Sequence, residues 1–221
     1  KEYPSVYEII LNKDGLKSLI KELESYSLIR VNDGKISMHR LTQTVVRGVL
    51  QDDAVAKICL SIMVNKFDIK NFDTNKAKQI FLETIPHIEQ FFWICEHEYT
   101  MNYTEPLSKL YHIYMYGYDK IKEHNIALKY KDITIEMRET LCNEKDIAKT
   151  YNLIGVVYQN SGKYYQSLVF LEKALLLRQK VFSESGLPED ESLIARTYNN
   201  IALNYFWLCK YDLAEKFHMQ A

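Results

Sequence analysis

Residues 151–174, YNLIGVVYQNSGKYYQSLVFLEKA, and residues 198–221, YNNIALNYFWLCKYDLAEKFHMQA, align without a gap 47 positions apart. In register, Tyr151, Ile154, Gly155, Tyr158, Gly162, Tyr164, Ser167, Leu171 and Ala174 are matched by Tyr198, Ile201, Ala202, Tyr205, Cys209, Tyr211, Ala214, His218 and Ala221. The early positions of each copy fall on one face of a helix. The small residues that follow allow a second helix to lie close against it. A degenerate copy, with Tyr111, Tyr114, Met115, Tyr118, Ala127 and Thr134 at the matching places, lies 40 residues before the first of these. One helix pair of this kind cannot bury its own apolar face, so successive pairs must stack to make a core. The fold class expected is therefore all-α, with an α-solenoid over 105–221 containing about three pairs, the last truncated.

Small-x-x-Tyr, followed by small residues twelve and nineteen positions on, resembles the tetratricopeptide repeat. The spacing exceeds the usual ~34 residues, and the surplus is read as a polar loop over Ser183 to Ser192. With AKTYN at 148–152 and ARTYNNIA at 195–202, this style resembles the repeats of kinesin light chains. The resemblance implies a concave face, lined by the first helix of each pair, that captures a protein or peptide. The register places His112, Tyr116 and Asp119, then Lys149, Asn152, Val156 and Gln159, then Arg196, Asn199, Asn200, Leu203 and Phe206 along it. Asparagine amides can donate to and accept from an extended backbone, and Lys149 and Arg196 can pair with a carboxylate. The same row would otherwise be an ordinary solvated helix face.

The first sixty residues carry a different pattern. Leu16, Leu19, Ile20 and Leu23 share one helix face, and Leu41, Val45, Val49 and Leu50 mark another helix. Between them, two short runs, Ser27 to Val31 and Lys35 to His39, flank Asn32-Asp33-Gly34, a signal for a tight β-hairpin. Helix, hairpin and helix, after a short helical stretch near Val6 to Leu11, is the order of a winged-helix unit. LESYSLI at 23–29 and SMHRLTQ at 37–43 resemble the winged-helix part of STAND signalling NTPases, the NB-ARC type with C-terminal tetratricopeptide repeats. LETIPHIEQF at 82–91 is similar to the segment that joins winged helix to repeats there, with Pro86 suited to a helix's first turn. The resemblance implies that His39 reaches the phosphate of a bound nucleotide in the resting, ADP-bound state. Arg40 stands where plant members carry Asp. Without that resemblance, His39 reads as a cap on the helix that starts at Arg40. The division expected is a winged-helix domain at 1–52, a helical connector at 53–104 and the repeats at 105–221.

Composition narrows the function. Among 221 residues, 47% are hydrophobic and 26% charged, with seven Gly and four Pro, as suits a helix-rich chain. A net charge of −1 gives no electrostatic footprint for nucleic acid. No run of apolar residues is long enough to cross a membrane, and the start lacks a leader's apolar core, so a cytoplasmic location is expected. The chain begins without Met and ends inside a helical pair, which reads as a piece of a longer protein. Cys59, Cys95, Cys142 and Cys209 lie far apart within apolar helical patterns and are expected as buried or partly buried free thiols, with no metal site. Neither a phosphate-cradling Gly-rich loop nor a catalytic motif is present in the sequence, so no catalytic residue and no cofactor is assigned to this chain. ADP or ATP is expected only with a nucleotide-binding domain upstream in a parent protein. Three functional readings result: the sensor end of a STAND-type switch, a winged-helix DNA-binding regulator with a peptide-sensing tail, and a plain repeat scaffold.

Overall fold

The computed structural model describes residues 29–32, 35–38, 72, 74–97, 105–141 and 143–221, together with Lys17 and Lys21. It contains two compact units, Lys1–Ser61 and Ile62–Ala221. In the first, β1 (Ile29–Asn32) pairs antiparallel with β2 (Lys35–Met38). Asn32 lies opposite Lys35, the register that a two-residue connection imposes. Lys17 and Lys21 are helical and exposed. The rest of the expected winged-helix frame, and His39 with it, lies outside the described residues.

The second unit has eight helices among its described residues: α1 (Asn75–His97), α2 (Glu105–Lys120), α3 (His124–Lys129), α4 (Lys131–Thr140), α5 (Glu144–Asn160), α6 (Tyr164–Ser185), α7 (Pro188–Trp207) and α8 (Tyr211–His218). Helix α1 buries an aromatic face against α2. Phe92 stacks on Tyr111 with ring centroids 3.9 Å apart, and Phe81 meets Tyr118 edge-on at 5.5 Å. A Cβ on Gly117 would sit 2.4 Å from the Phe81 ring, so that position must be glycine for the helices to approach. At the edge of this cluster the Tyr118 hydroxyl donates to Glu89 at 3.2 Å and lies 3.1 Å from the hydroxyl of Tyr114. Burial and these two neighbours push the Tyr114 phenol well above its ordinary range.

The pairs are α2 with α3 and α4, α5 with α6, and α7 with α8. Each second helix also packs on the first helix of the next pair. The repeat register locates the core. Tyr111, Tyr114, Met115, Ala127 and Thr134 in the first pair are buried, as are Ile154, Ser167, Leu171 and Ala174 in the second and Ile201, Ala202 and Ala214 in the third. Full burial of a side chain such as Leu171 or Ile201 contributes about 2 kcal/mol. Gly155 is the close-approach point of the second pair: an added Cβ would lie 2.7 Å from Cγ of Leu171. There the Ser167 hydroxyl donates to the Gly155 carbonyl at 2.7 Å. The repeat tyrosines are half-buried, and each pair adds an aromatic partner in register. Tyr158 stacks on Phe170 at 5.5 Å and Tyr205 on Phe217 at 5.4 Å.

The turn inside each pair is built the same way three times. Lys122, Gly162 and Cys209 occupy equivalent positions with φ of 68°, 75° and 57°. In each turn the following amide bonds back to a carbonyl five residues earlier: Glu123 to Tyr118, Lys163 to Tyr158 and Lys210 to Tyr205, all at 2.9 Å. That pairing closes a helix through a left-handed residue and satisfies carbonyls that the helix end would leave open.

Three expectations are corrected. The stretch from Ser183 to Ser192 is not a long loop, because α6 continues to Ser185 and α7 starts at Pro188. Gly186, at φ 60°, ends one helix, and Pro188 with three acidic residues after it starts the next. Cys209 is exposed rather than buried, since its left-handed turn position points it outward. Pro86 lies inside α1 and not in its first turn. It is exposed on the same side as Leu82, whose carbonyl loses its helical partner there and can be solvated instead.

Candidate functional site

The first helices of successive pairs lie side by side, α2 next to α5 and α5 next to α7. Side chains bridge them at several levels. Asn160 donates its amide to both Asp119 carboxylate oxygens, at 2.9 and 3.1 Å, and His124 approaches the same carboxylate at 3.1 Å. Asn204 donates to Gln159 at 2.9 Å, and Asn200 donates to Asn152 at 3.3 Å. Thr150 lies 3.4 Å from Nδ1 of His112. Desolvation, assisted by the Arg138 and Lys149 charges against the pull of Asp146, lowers the His112 pKa to about 3, so this imidazole is neutral at physiological pH.

The residues that the repeat register assigns to this face divide into two kinds. Asn152, Gln159 and Asn200 are half-buried and hydrogen-bonded across the pairs, so they tie α5 to α7. Lys149, Arg196, Asn199, Leu203 and Phe206 are exposed. Lys149 pairs with Asp146 at 2.9 Å, and Asn199 meets His218 of α8 at 2.9 Å. Tyr116 is half-buried, edge-on to Phe72 at 5.6 Å, with the Lys120 ammonium 5.1 Å from its ring centroid. Phe206 stands 48% exposed and joins Trp207 and Tyr211 in an aromatic cluster at the turn into α8. The face thus offers exposed cations at Lys149 and Arg196, an amide at Asn199 and an aromatic end at Phe206.

Behind this face is a pair of buried guanidinium groups that the register of first helices does not predict. Arg138 of α4 donates through Nη1 to the Asp146 carbonyl of α5. Arg178 of α6 donates through Nη1 to the Leu193 carbonyl of α7 at 2.6 Å, to the Thr197 hydroxyl and to Oδ1 of Asn152 at 3.3 Å. The two arginines stand 40 residues apart, the offset of the first two pairs, and their carbonyl partners stand 47 apart, the offset of the next. Thr150 and Thr197, four residues beyond each carbonyl, donate to it as well. Each arginine therefore clamps a second helix to the first helix of the following pair. The signal for it was in the sequence, in two separate repeat offsets.

Among the described residues, no group of His, Cys, Asp or Glu is placed to hold a metal ion. Among them also, no helix is long and apolar enough to cross a membrane.

Residues 147–186 match the tetratricopeptide repeat family. No curated protein matches the chain. Among solved structures, BtubC (BKLC) from P. vanneervenii is similar in fold, with a TM-score of 0.52 at 14% sequence identity. The likeness covers 80% of this chain and 66% of that one. Tetratricopeptide repeats point to protein–protein interaction or scaffolding as the class of role. The chain carries one such repeat at residues 147–186, set in a stack of helix pairs that share its turns, its small-residue contacts and its arginine clamps.

Proposed function

We propose that this chain is a protein-interaction module whose α2–α5–α7 face captures a peptide or protein segment. The observation that carries this reading is the mixed surface of that face, on which Lys149, Arg196, Asn199 and Phe206 are exposed above a hydrogen-bonded layer of Asn152, Gln159, Asn200 and Asn204. The lower layer fixes the spacing of the helices and the upper layer is free to meet a ligand. A partner with an acidic group and an apolar anchor suits such a surface.

The finer reading places this module in a STAND-type switch, with the winged-helix unit relaying capture to a nucleotide-binding domain. It is supported by the wording of residues 23–29, 37–43 and 82–91. The chain has no phosphate-cradling loop of its own, so a nucleotide would be held by that other domain, with His39 the one residue assigned toward it.

A displayed peptide library panned against the chain tests the module. Selected peptides are retested on Arg196→Glu and Phe206→Ala, and on Val169→Asp and Leu176→Asp, which alter exposed positions on the second helix α6. Loss on the first two, with retention on the second two, is expected. Loss only on the α6 variants would refute the assignment of the face.

A further inference from the structure

The two arginine clamps are equivalent in position but not in charge balance. Oδ1 of Asp146 lies 3.9 Å from Nη1 of Arg138 and supplies a counter-charge. The residue in register with Asp146 in the next clamp is Leu193, which supplies none. Arg178 is only 7% exposed, its Nε is buried without a hydrogen-bond partner, and its three bonds leave from Nη1 to neutral acceptors. Desolvation, and then repulsion from Arg196, lowers its pKa to about 10. A guanidinium this deep, with no anion beside it, carries an uncompensated desolvation cost.

Beside it lies a cavity of about 190 Å³. Arg178, Lys145 and Lys149 line it, with Val181 and Leu193 as apolar wall. Two carboxylates also line it, Glu189 and Asp190. Asp190 is already engaged, accepting from Lys145 at 3.0 Å and from Ser185 at 2.6 Å. Nη1 is fully used, so the edge of Arg178 left over is the one that carries Nε, and a guanidinium edge matches the two oxygens of a planar carboxylate.

We propose that the cavity between α5, α6 and α7 is a binding site for a carboxylate on a short aliphatic stem, held by the Nε edge of Arg178 with Lys145 and Lys149 at its rim. The site supplies from outside the charge that Asp146 gives Arg138 from within. It stands whether or not the α2–α5–α7 face captures a peptide. Two sources share this chemistry, a free small carboxylate and a glutamyl side chain of a bound polypeptide.

The test follows the Arg178 Nε–H resonance in ¹⁵N-labelled protein during titration with acetate and with N-acetyl-glutamate amide, and with acetamide as the neutral isostere. A saturable shift with the carboxylates and none with acetamide is expected. Tighter binding of acetate marks a free-metabolite site, and tighter binding of the blocked glutamate marks a polypeptide side chain. Leu193→Asp, which places a carboxylate at the Asp146 position, should abolish the response while circular dichroism stays unchanged. Should that variant lose its helical signal, Lys145→Met with Lys149→Met serves in its place and should weaken binding by on the order of tenfold. An unsaturable shift, an equal response to acetamide, or full acetate binding in these variants overturns the proposal.

Discussion

The thrice-repeated left-handed turn allows a prediction whose sign differs between equivalent positions. Lys122, Gly162 and Cys209 hold φ between 57° and 75°, yet only one of them is glycine. A residue with a Cβ pays about 1–2 kcal/mol in that region, and glycine forfeits roughly 0.5–1 kcal/mol through its freedom in the unfolded chain. The difference favours glycine by about 0.5–1 kcal/mol. Lys122→Gly should therefore raise stability by about that much, although it removes a charged surface residue. Cys209→Gly should gain less, because Cys209 also hydrogen-bonds the Tyr211 hydroxyl. Gly162→Ala should lose about 1 kcal/mol by strain alone, since an added Cβ there meets nothing within 4 Å. In urea, with a slope of about 2 kcal/mol per molar, these changes move the midpoint by roughly 0.3–0.5 M in opposite directions. Far-UV circular dichroism across a urea series at constant slope measures them. A lowered midpoint for Lys122→Gly, or an unchanged one for Gly162→Ala, would show that the turns do not carry the strain assigned to them.

Two further outcomes are expected. Gly155→Ala forces a methyl against Leu171 and should cost about 1–3 kcal/mol, whereas adding Leu171→Ala to it should cost at least 1 kcal/mol less than the sum of the single variants; additive denaturation midpoints would contradict the contact. His112, with its folded pKa lowered to about 3, refuses a proton that the unfolded chain accepts near pH 6.5. Its contribution is complete above pH 6.5 and is lost as pH falls, at up to about 1.4 kcal/mol per unit. His112→Asn should flatten stability between pH 6.5 and 5 relative to the unsubstituted chain, and parallel curves for the two proteins would show that the imidazole titrates freely.

The solenoid was legible because its core depends on residues whose size is their function. Gly155, Ser167 and Ala174 recur as small side chains wherever two helices touch, and periodicity finds such positions without knowledge of partners. The face was legible only in part. Periodicity assigns Asn152 and Asn200 to the side of the first helices, but it cannot show that they lie within reach of each other and will bond across the pairs. Arg178 was missed for the related reason that its partner is a backbone carbonyl of the next helix, which leaves no trace in side-chain pattern. Cys209 was misjudged from apolar neighbours, Trp207 and Leu208, when its place in the turn decides its exposure.

The misread loop explains the cavity. The offset between copies grows from 40 residues to 47, and seven residues make close to two turns of α-helix. An insertion of that length returns the helix to nearly the same face, so it can lengthen a pair of helices without turning their buried sides outward. The added residues extend α6 to Ser185 and start α7 at Pro188, leaving only Gly186 and Leu187 between them. The extension is then fastened to α5, by Lys145 to Asp190 at 3.0 Å and by Lys180 to Glu144. Val181, Glu189, Asp190 and Leu193, which wall the cavity beside Arg178, all lie in or next to this lengthened part. The first clamp lacks the lengthening and has Asp146 against its arginine, whereas the second has the lengthening, a leucine in that place, and an enclosed space where the carboxylate would be.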